Sequence, residues 1–314
     1  MLKNILVTGA RGFIGRHVVR AALTKPAVRV RMIYRGPQAP ERHGAEAVRA
    51  DLTDPASLKG LCEGIDAVVH CASLVGADAP SLRTVNDLGT RALIDEALRH
   101  GVRRVVYVST AAVYGRGPFR RAEPADLVQA PASATSRTRA AAERHVLAVG
   151  GTVLRPHLVY GAGDRWVVPG LAGLVRFLGA GVACPSVHSA VDVGALGEVA
   201  VAAALAEHDV PAVLHVNHPR PVSTSALIDL VRGPLDLPEG ESLPLRRARE
   251  IADGFPPALH HLEMLATDHW FSSDRVWQEL GCDPGPAPAT GLAAHLGWYG
   301  SLLRESATTG SGAR

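Results

Sequence analysis

The strongest constraint on how this chain folds lies near its start. The apolar run Ile5-Leu6-Val7 breaks directly into Thr8-Gly9-Ala10-Arg11-Gly12-Phe13-Ile14-Gly15. A helical pattern follows, with Ile14, Val18 and Ala22 along one side. A short apolar strand that ends in spaced glycines and enters a helix reads as a strand–turn–helix unit. Gly9 lets the chain turn, Gly12 lets the backbone approach a ligand, and Gly15 lets the helix lie against the strand. The helix start then offers free N–H groups to a pyrophosphate. The competing reading is a glycine-rich turn that binds nothing.

The alternation continues beyond this unit. Strands are expected over 4–8, 28–34, 47–49, 66–71, 104–109 and 152–155, with helices over 12–23, 88–100 and 136–149 and a long irregular stretch after Ser109. Near-continuous apolar strands alternating with helices predict an α/β fold, a Rossmann-type doubly wound parallel sheet with a smaller C-terminal lobe. A formal charge of +3 over 314 residues, without a Lys/Arg run, argues against nucleic acid or a membrane surface as partner. The apolar start at Ile5 is too short for a signal peptide or membrane span. Cys62, Cys71, Cys184 and Cys282 stand far apart with no CxxC, which is expected of four reduced thiols in a cytoplasmic protein. His260, His261 and His269 have no cysteine or acidic partners at ligand spacing, so no metal is expected.

The second strand normally decides which dinucleotide is held. A carboxylate at its end binds the ribose hydroxyls of NAD, whereas arginine accommodates a 2′-phosphate. Here it ends Ile33-Tyr34-Arg35-Gly36. Arg35 with Arg11 forms a candidate two-guanidinium clamp, so NADPH is expected to bind and NADH more weakly. The alternative is two solvated surface arginines. Asp51 and Leu52, at the end of the third strand, are placed to meet the adenine. Ala72 and Ser73, after the fourth, are placed against the adenosine ribose.

The T-G-x-x-G-F-I-G opening is joined by Asp51-Leu52, by Asn86 with Gly89-Thr90, by Val108-Ser109-Thr110-Ala111-Ala112-Val113-Tyr114-Gly115, by Leu154-Arg155-Pro156 with Val159-Tyr160-Gly161, and by Val191-Asp192-Val193. With the late Leu280-Gly281-Cys282-Asp283-Pro284, these motifs resemble the extended short-chain dehydrogenase/reductase (epimerase/dehydratase) family over most of the chain. The resemblance implies a Rossmann domain over 1–164, rejoined by 191–217. It implies a substrate lobe from 165–190 and 218–275 and a closing segment over 276–305, while the small, polar residues 306–314 are expected to form a disordered tail. It also implies that Phe13, Ile14, Arg139, Pro156 and Leu158 join the glycines at the cofactor, and that Ser109, Thr110, His157 and Trp166 face the substrate. Chains of this kind work as monomers or homodimers.

Family chemistry rests on a Ser/Thr hydroxyl, a Tyr and a Lys. The hydroxyl position matches Thr110, but Thr135 stands where the tyrosine belongs and Arg139 where the lysine belongs. Neither Tyr114 nor Tyr160 begins a Tyr-x-x-x-Lys pattern. A phenol with a pKa of ~10, lowered by a neighbouring ammonium, transfers protons near neutrality. The hydroxyl of Thr135 is far less acidic, and Arg139 stays protonated, so it can orient but not relay. Loss of a general acid removes a factor of about 10²–10⁴ in rate. Oxidising an unactivated alcohol needs a base, whereas reducing a ketone needs only a stabilised alkoxide and a later proton. The expected activity is therefore NADPH-dependent reduction of a bulky, aromatic polyketide ketone, with the proton drawn from a neighbouring phenol of the substrate or from water. The departure is similar to that of atypical tailoring reductases in antibiotic pathways, simocyclinone-type angucyclinone ketoreductases among them. A non-catalytic NADP(H)-binding regulator and a nucleotide-sugar epimerase or dehydratase are the alternatives.

Other side chains carry competing readings. His157 is a polar contact or proton donor, or a packing histidine. Ser109 and Ser136 stand beside the two expected catalytic positions, where hydroxyls are more often backbone hydrogen-bonders and caps. Asp192 is expected to order a connecting loop and Glu143 to make a helix-surface contact. Trp166, Phe177, Trp270 and Phe271 belong to core packing or to a flat aromatic pocket.

Overall fold

The computed structural model describes residues 2–38 and 44–310, with side chains to residue 305. Its main sheet has seven strands: β1 (Lys3–Thr8), β2 (Val28–Tyr34), β3 (Ala45–Arg49), β4 (Ala67–His70), β5 (Arg104–Val108), β6 (Thr152–Arg155) and β7 (Val213–His215). Their order is β7-β6-β5-β4-β1-β2-β3, and every pairing is parallel. Ile5, Leu6 and Val7 are fully buried, as a central strand covered on both faces requires. One face packs helix α1 (Gly15–Leu23) and a later helix, Val193–Leu205, through Val18, Ala22, Leu196 and Ala200. The other packs α2 (Gly89–Arg99) and α3 (Ala134–Ala148) through Leu93, Ile94, Ala142 and Val146. Strand order reverses beside β1, whose neighbours are β2 and β4, and this opens a crevice at the carboxyl ends of the strands.

A second lobe has its own core, built on helices Val167–Leu178 and Thr224–Arg232. Its four-stranded sheet runs Val222–Ser223, Val187–His188, His269–Phe271 and Phe119–Ala122. The last of these corrects the expectation of an irregular stretch after Ser109: a segment from the first half of the chain pairs into the second lobe. The helix Asp274–Leu280 packs Val276 and Trp277 into the main core, although it follows that lobe in sequence. Helix α1 begins at Gly15, three residues later than its apolar pattern, because Gly12 N–H donates to Gly9 O at 2.8 Å and closes a turn first. The final helix, Leu296–Gly310, replaces the tail expected from residue 306, and residues 311–314 lie outside the described residues. The four cysteines form no disulfide. Among the described residues, no helix is long and apolar enough to cross a membrane.

Candidate active site

The crevice beside β1 is a cleft of about 360 Å³ lined by Gly9, Arg11, Gly12, Arg35, Asp51, Leu52, Ala72 and Ser73. Tyr34, Gly36, Ala50, Leu74 and Val85 also line it and carried no motif signal. Its floor is a close approach of backbones. Gly9 has φ +64, and a Cβ there would meet Ala72 N at 2.7 Å. A Cβ on Gly15 would stand 2.1 Å from Gly9 O, so only glycine lets α1 abut the turn. The guanidinium of Arg11 rests over Gly36, its NH1 3.1 Å from where a Cβ would sit, beside Arg35 at the end of β2. Neither arginine has an ion-pair partner among the described residues, and Asp51 is the one carboxylate among the described residues that line the cleft. Asp51 Oδ1 accepts from the Thr53 N–H and hydroxyl, which fixes the turn after β3. Phe13 and Ile14 do not line the cleft but pack against the core, the Phe13 ring edge-on to His17.

A directed hydrogen-bond chain holds the strand ends under this cleft. Ala72 N–H donates to Thr8 Oγ1, whose hydroxyl reaches His70 Nδ1 at 2.6 Å. His70 Nε2 meets Thr90 Oγ1 at 2.9 Å, and Thr90 donates to Asn86 O. Burial, then the nearby Arg139 charge, lowers the His70 pKa to about 3, so this imidazole is neutral. Asn86 Oδ1 in turn accepts from Leu74 N–H and Ser73 Oγ, and its amide donates to Thr138 on α3.

Arg139 projects from α3 onto the ends of β4 and β5, close enough for its charge to act on His70, Cys71 and Tyr107. Its NH2 donates to Val108 O at 2.7 Å. Its Nε is buried with no hydrogen-bond partner among the described residues. A buried orphan donor is costly unless a ligand accepts from it. That donor and the glycine cradle fit a nicotinamide dinucleotide.

Beyond Arg139, Thr110 is half-exposed and begins the turn Ala111–Tyr114, its Oγ1 accepting from Ala112 N–H. That contact uses the oxygen and leaves its hydroxyl hydrogen to donate elsewhere. Thr135 lies half-buried in the first turn of α3. Pro156 is buried, its carbonyl accepting from Ala111 N–H, and Leu158 is half-buried on the strand Leu158–Tyr160. Trp166 is 63% exposed and leans towards Gly76 in the loop after β4.

Two expectations are corrected here. Ser109 does not face a substrate: it is 1% exposed and its hydroxyl donates to Glu143. Glu143 makes no helix-surface contact: it is fully buried and accepts from Ser109, Gln129 and both Arg155 Nε and NH2. Arg155 NH1 also donates to Tyr114 Oη at 2.6 Å, and the tyrosine hydroxyl meets His215 Nε2 at 2.8 Å. This network joins β5, α3, β6 and β7. Ser136 caps α3 with Ser133, and Asp192 caps the helix Val193–Leu205 while meeting His295 Nε2 at 2.7 Å.

The placement of the phenols limits proton chemistry. Tyr107, Tyr114, Tyr160 and Tyr299 are all 2% exposed or less, and burial raises each of their pKa values. The fifth, Tyr34, lines the end of the cleft beside Arg35. His157 is half-buried between His188, His269 and Phe271, and burial followed by the two imidazoles pushes its pKa well down. Of the aromatic residues, Phe271 is core, Trp270 is half-buried and Phe177 stacks on Phe255 at the surface.

Residues 5–174 match the NAD dependent epimerase/dehydratase family. The 2-alkyl-3-oxoalkanoate reductase of Stenotrophomonas maltophilia (strain K279a) is 30% identical, over 92% of this chain and 97% of its own. A 4-hydroxy-2-methyl-3-oxo-4-farnesyl-3,4-dihydroquinoline-1-oxide ketoreductase of Stigmatella aurantiaca is 31% identical over 54% of each chain. The crystal structure of Bordetella bronchiseptica WbmH in complex with NAD⁺ superposes with a TM-score of 0.75 over 95% of this chain and 98% of that one. At 21% identity that likeness speaks for the fold.

Proposed function

We propose, for a chain that belongs to the NAD dependent epimerase/dehydratase family, an NADPH-dependent reduction of a ketone on a bulky aromatic, polyketide-type substrate without a catalytic tyrosine. The observation that carries this reading is the burial of four phenols and the position of the fifth at the nucleotide end of the cleft. No phenol is left for the reacting oxygen, and Thr135 and Arg139 cannot serve in its place.

A bound nicotinamide supplies the hydride. Arg11 and Arg35 would hold its 2′-phosphate, and Arg139 would orient it through the Nε donor that has no partner among the described residues. Thr110 donates its free hydroxyl hydrogen to the substrate carbonyl and steadies the charge developing on that oxygen. The alkoxide takes its proton from a phenol of the substrate or from water. Trp166 offers an exposed flat face to an aromatic ring system. Support for carbonyl reduction also comes from the two relatives, both named as reductases.

The direct test is NADPH consumption with a panel of aromatic polyketide ketones, run beside nucleotide sugars. Stoichiometric alcohol formation is expected. An isomerised sugar with no net cofactor oxidation, or tight cofactor binding with no turnover of any ketone, would overturn the reading. For the cofactor, fluorescence titration should give a lower dissociation constant for NADPH than for NADH, and equal constants would contradict the arginine clamp.

A further inference from the structure

We propose that His157, His188 and His269 form a binding site for one divalent transition metal ion, Zn²⁺ or a similar borderline cation, at the seam between the main sheet and the second lobe. One ligand nitrogen from each ring lies within 4.8 Å of the other two. His188 and His269 are in register on neighbouring strands of the second lobe, so their side chains share a face. His157 comes from the link between β6 and the strand Leu158–Tyr160. No sequence spacing signals the cluster, because its members meet only when the two lobes pack.

Hydrogen bonding around the rings prepares them as ligands. His269 Nδ1 lies 2.8 Å from Thr267 O, and His188 Nε2 lies 3.1 Å from Leu265 O. The Thr267 carbonyl only accepts, so His269 Nδ1 carries hydrogen; His188 Nε2 also lies 3.0 Å from Thr224 Oγ1, whose own hydrogen goes to Leu265 O, so this nitrogen is a donor as well. The lone pair of His188 Nδ1 faces His157, and that of His269 Nε2 accepts only a long contact, 3.4 Å, from Gly117 N–H, which an ion would displace. Donation of the second N–H to a backbone carbonyl is how metal-binding imidazoles are usually oriented. His157 Nε2 faces His188 Nδ1 at 3.4 Å, long for a hydrogen bond between them. Two nitrogens bound tetrahedrally to one Zn²⁺ at ~2.0–2.1 Å would be about 3.4 Å apart. The remaining spacings, up to 4.8 Å, have to shorten towards that value on binding.

The donor set also selects the ion. Three neutral imidazoles without a carboxylate suit zinc, cobalt, nickel or copper and disfavour calcium and magnesium. The nearby Asp268 is already engaged, its oxygens accepting from Val187 N–H and Arg120 Nε. Three ligands leave a fourth position for solvent, and half-buried His157 gives the ion a way in.

The experiment is a titration of untagged, chelator-treated protein with Zn²⁺ by calorimetry and with Co²⁺ by visible spectroscopy. One equivalent per chain, tetrahedral Co²⁺ bands and a raised melting temperature are expected. His188→Ala should abolish all three, as should His157→Phe, which keeps an aromatic ring against Phe271. His260→Gln should retain them. Absence of the tetrahedral Co²⁺ spectrum in the unmodified protein would overturn the site, and that result needs no variant to fold. Survival of the bound equivalent in both His188→Ala and His157→Phe would overturn it too.

Discussion

Thr110 and His70 illustrate how little of a side chain's role lies in its identity alone. Thr110 Oγ1 accepts from Ala112 N–H, which fixes the oxygen's position and leaves its O–H to donate. Thr110→Val should lower kcat by about 10²–10³, the usual cost of losing one donor to a developing oxyanion. The NADPH dissociation constant should hold, and Thr110→Ser should recover most of the rate; steady-state kinetics beside a binding titration separates these effects. His70 acts on stability. Its pKa falls from 6.5 to about 3 because burial disfavours the cation. Below pH 6.5 the unfolded chain takes up a proton that the folded chain refuses, so its contribution is lost as pH falls from 6.5 towards 3. The slope approaches about 1.4 kcal/mol per pH unit for this one group. His70→Gln should make the decline in urea-unfolding free energy between pH 6 and pH 4 shallower by about one proton. Unchanged slopes would assign the acid sensitivity to other buried histidines.

At the scale of elements, the buried pair of Glu143 and Arg155 fastens α3 to β6, and through Ser109 and Tyr114 it reaches β5 and the turn that carries Thr110. Glu143→Gln leaves a guanidinium buried without its counter-charge and should cost about 3–5 kcal/mol. Pairing Glu143→Leu with Arg155→Met removes both charges and should recover a large part of that loss, read from denaturant midpoints at constant m-value. The sequence hid this network for a physical reason. Helix α3 is rich in alanine around Ala140, Ala141 and Ala142, so its apolar stripe is faint and does not say which face Glu143 occupies. The glycine turn, by contrast, was plain to read, because strand, turn and helix are contiguous and each glycine answers a local steric demand. Arg11, Arg35, Asp51 and Ser73 fall on one cleft because each closes a strand whose place in the sheet follows from the alternation of elements.

For the whole molecule, what could be read from the chain follows the range of the contacts involved. Layering and strand alternation are sums of short-range pattern, and the seven-stranded sheet agrees with them. The exceptions join distant segments: Phe119–Ala122 crossing into the second lobe, the three histidines at the seam, and the tyrosines withdrawn into the core. Those withdrawn tyrosines set the chemistry. With Tyr114 held by Arg155 and His215, and Tyr34 beside Arg35 in the cleft, the proposed reduction would draw the proton for its alkoxide from outside the protein. The most direct measurement compares kcat for a ketone that carries an adjacent phenol with that for the same ketone lacking the hydroxyl, at matched binding saturation. A fall of about 10²–10⁴ without the hydroxyl is expected if the substrate supplies the proton. An unchanged kcat, together with its loss on replacing some other acidic side chain of the protein, would contradict the claim.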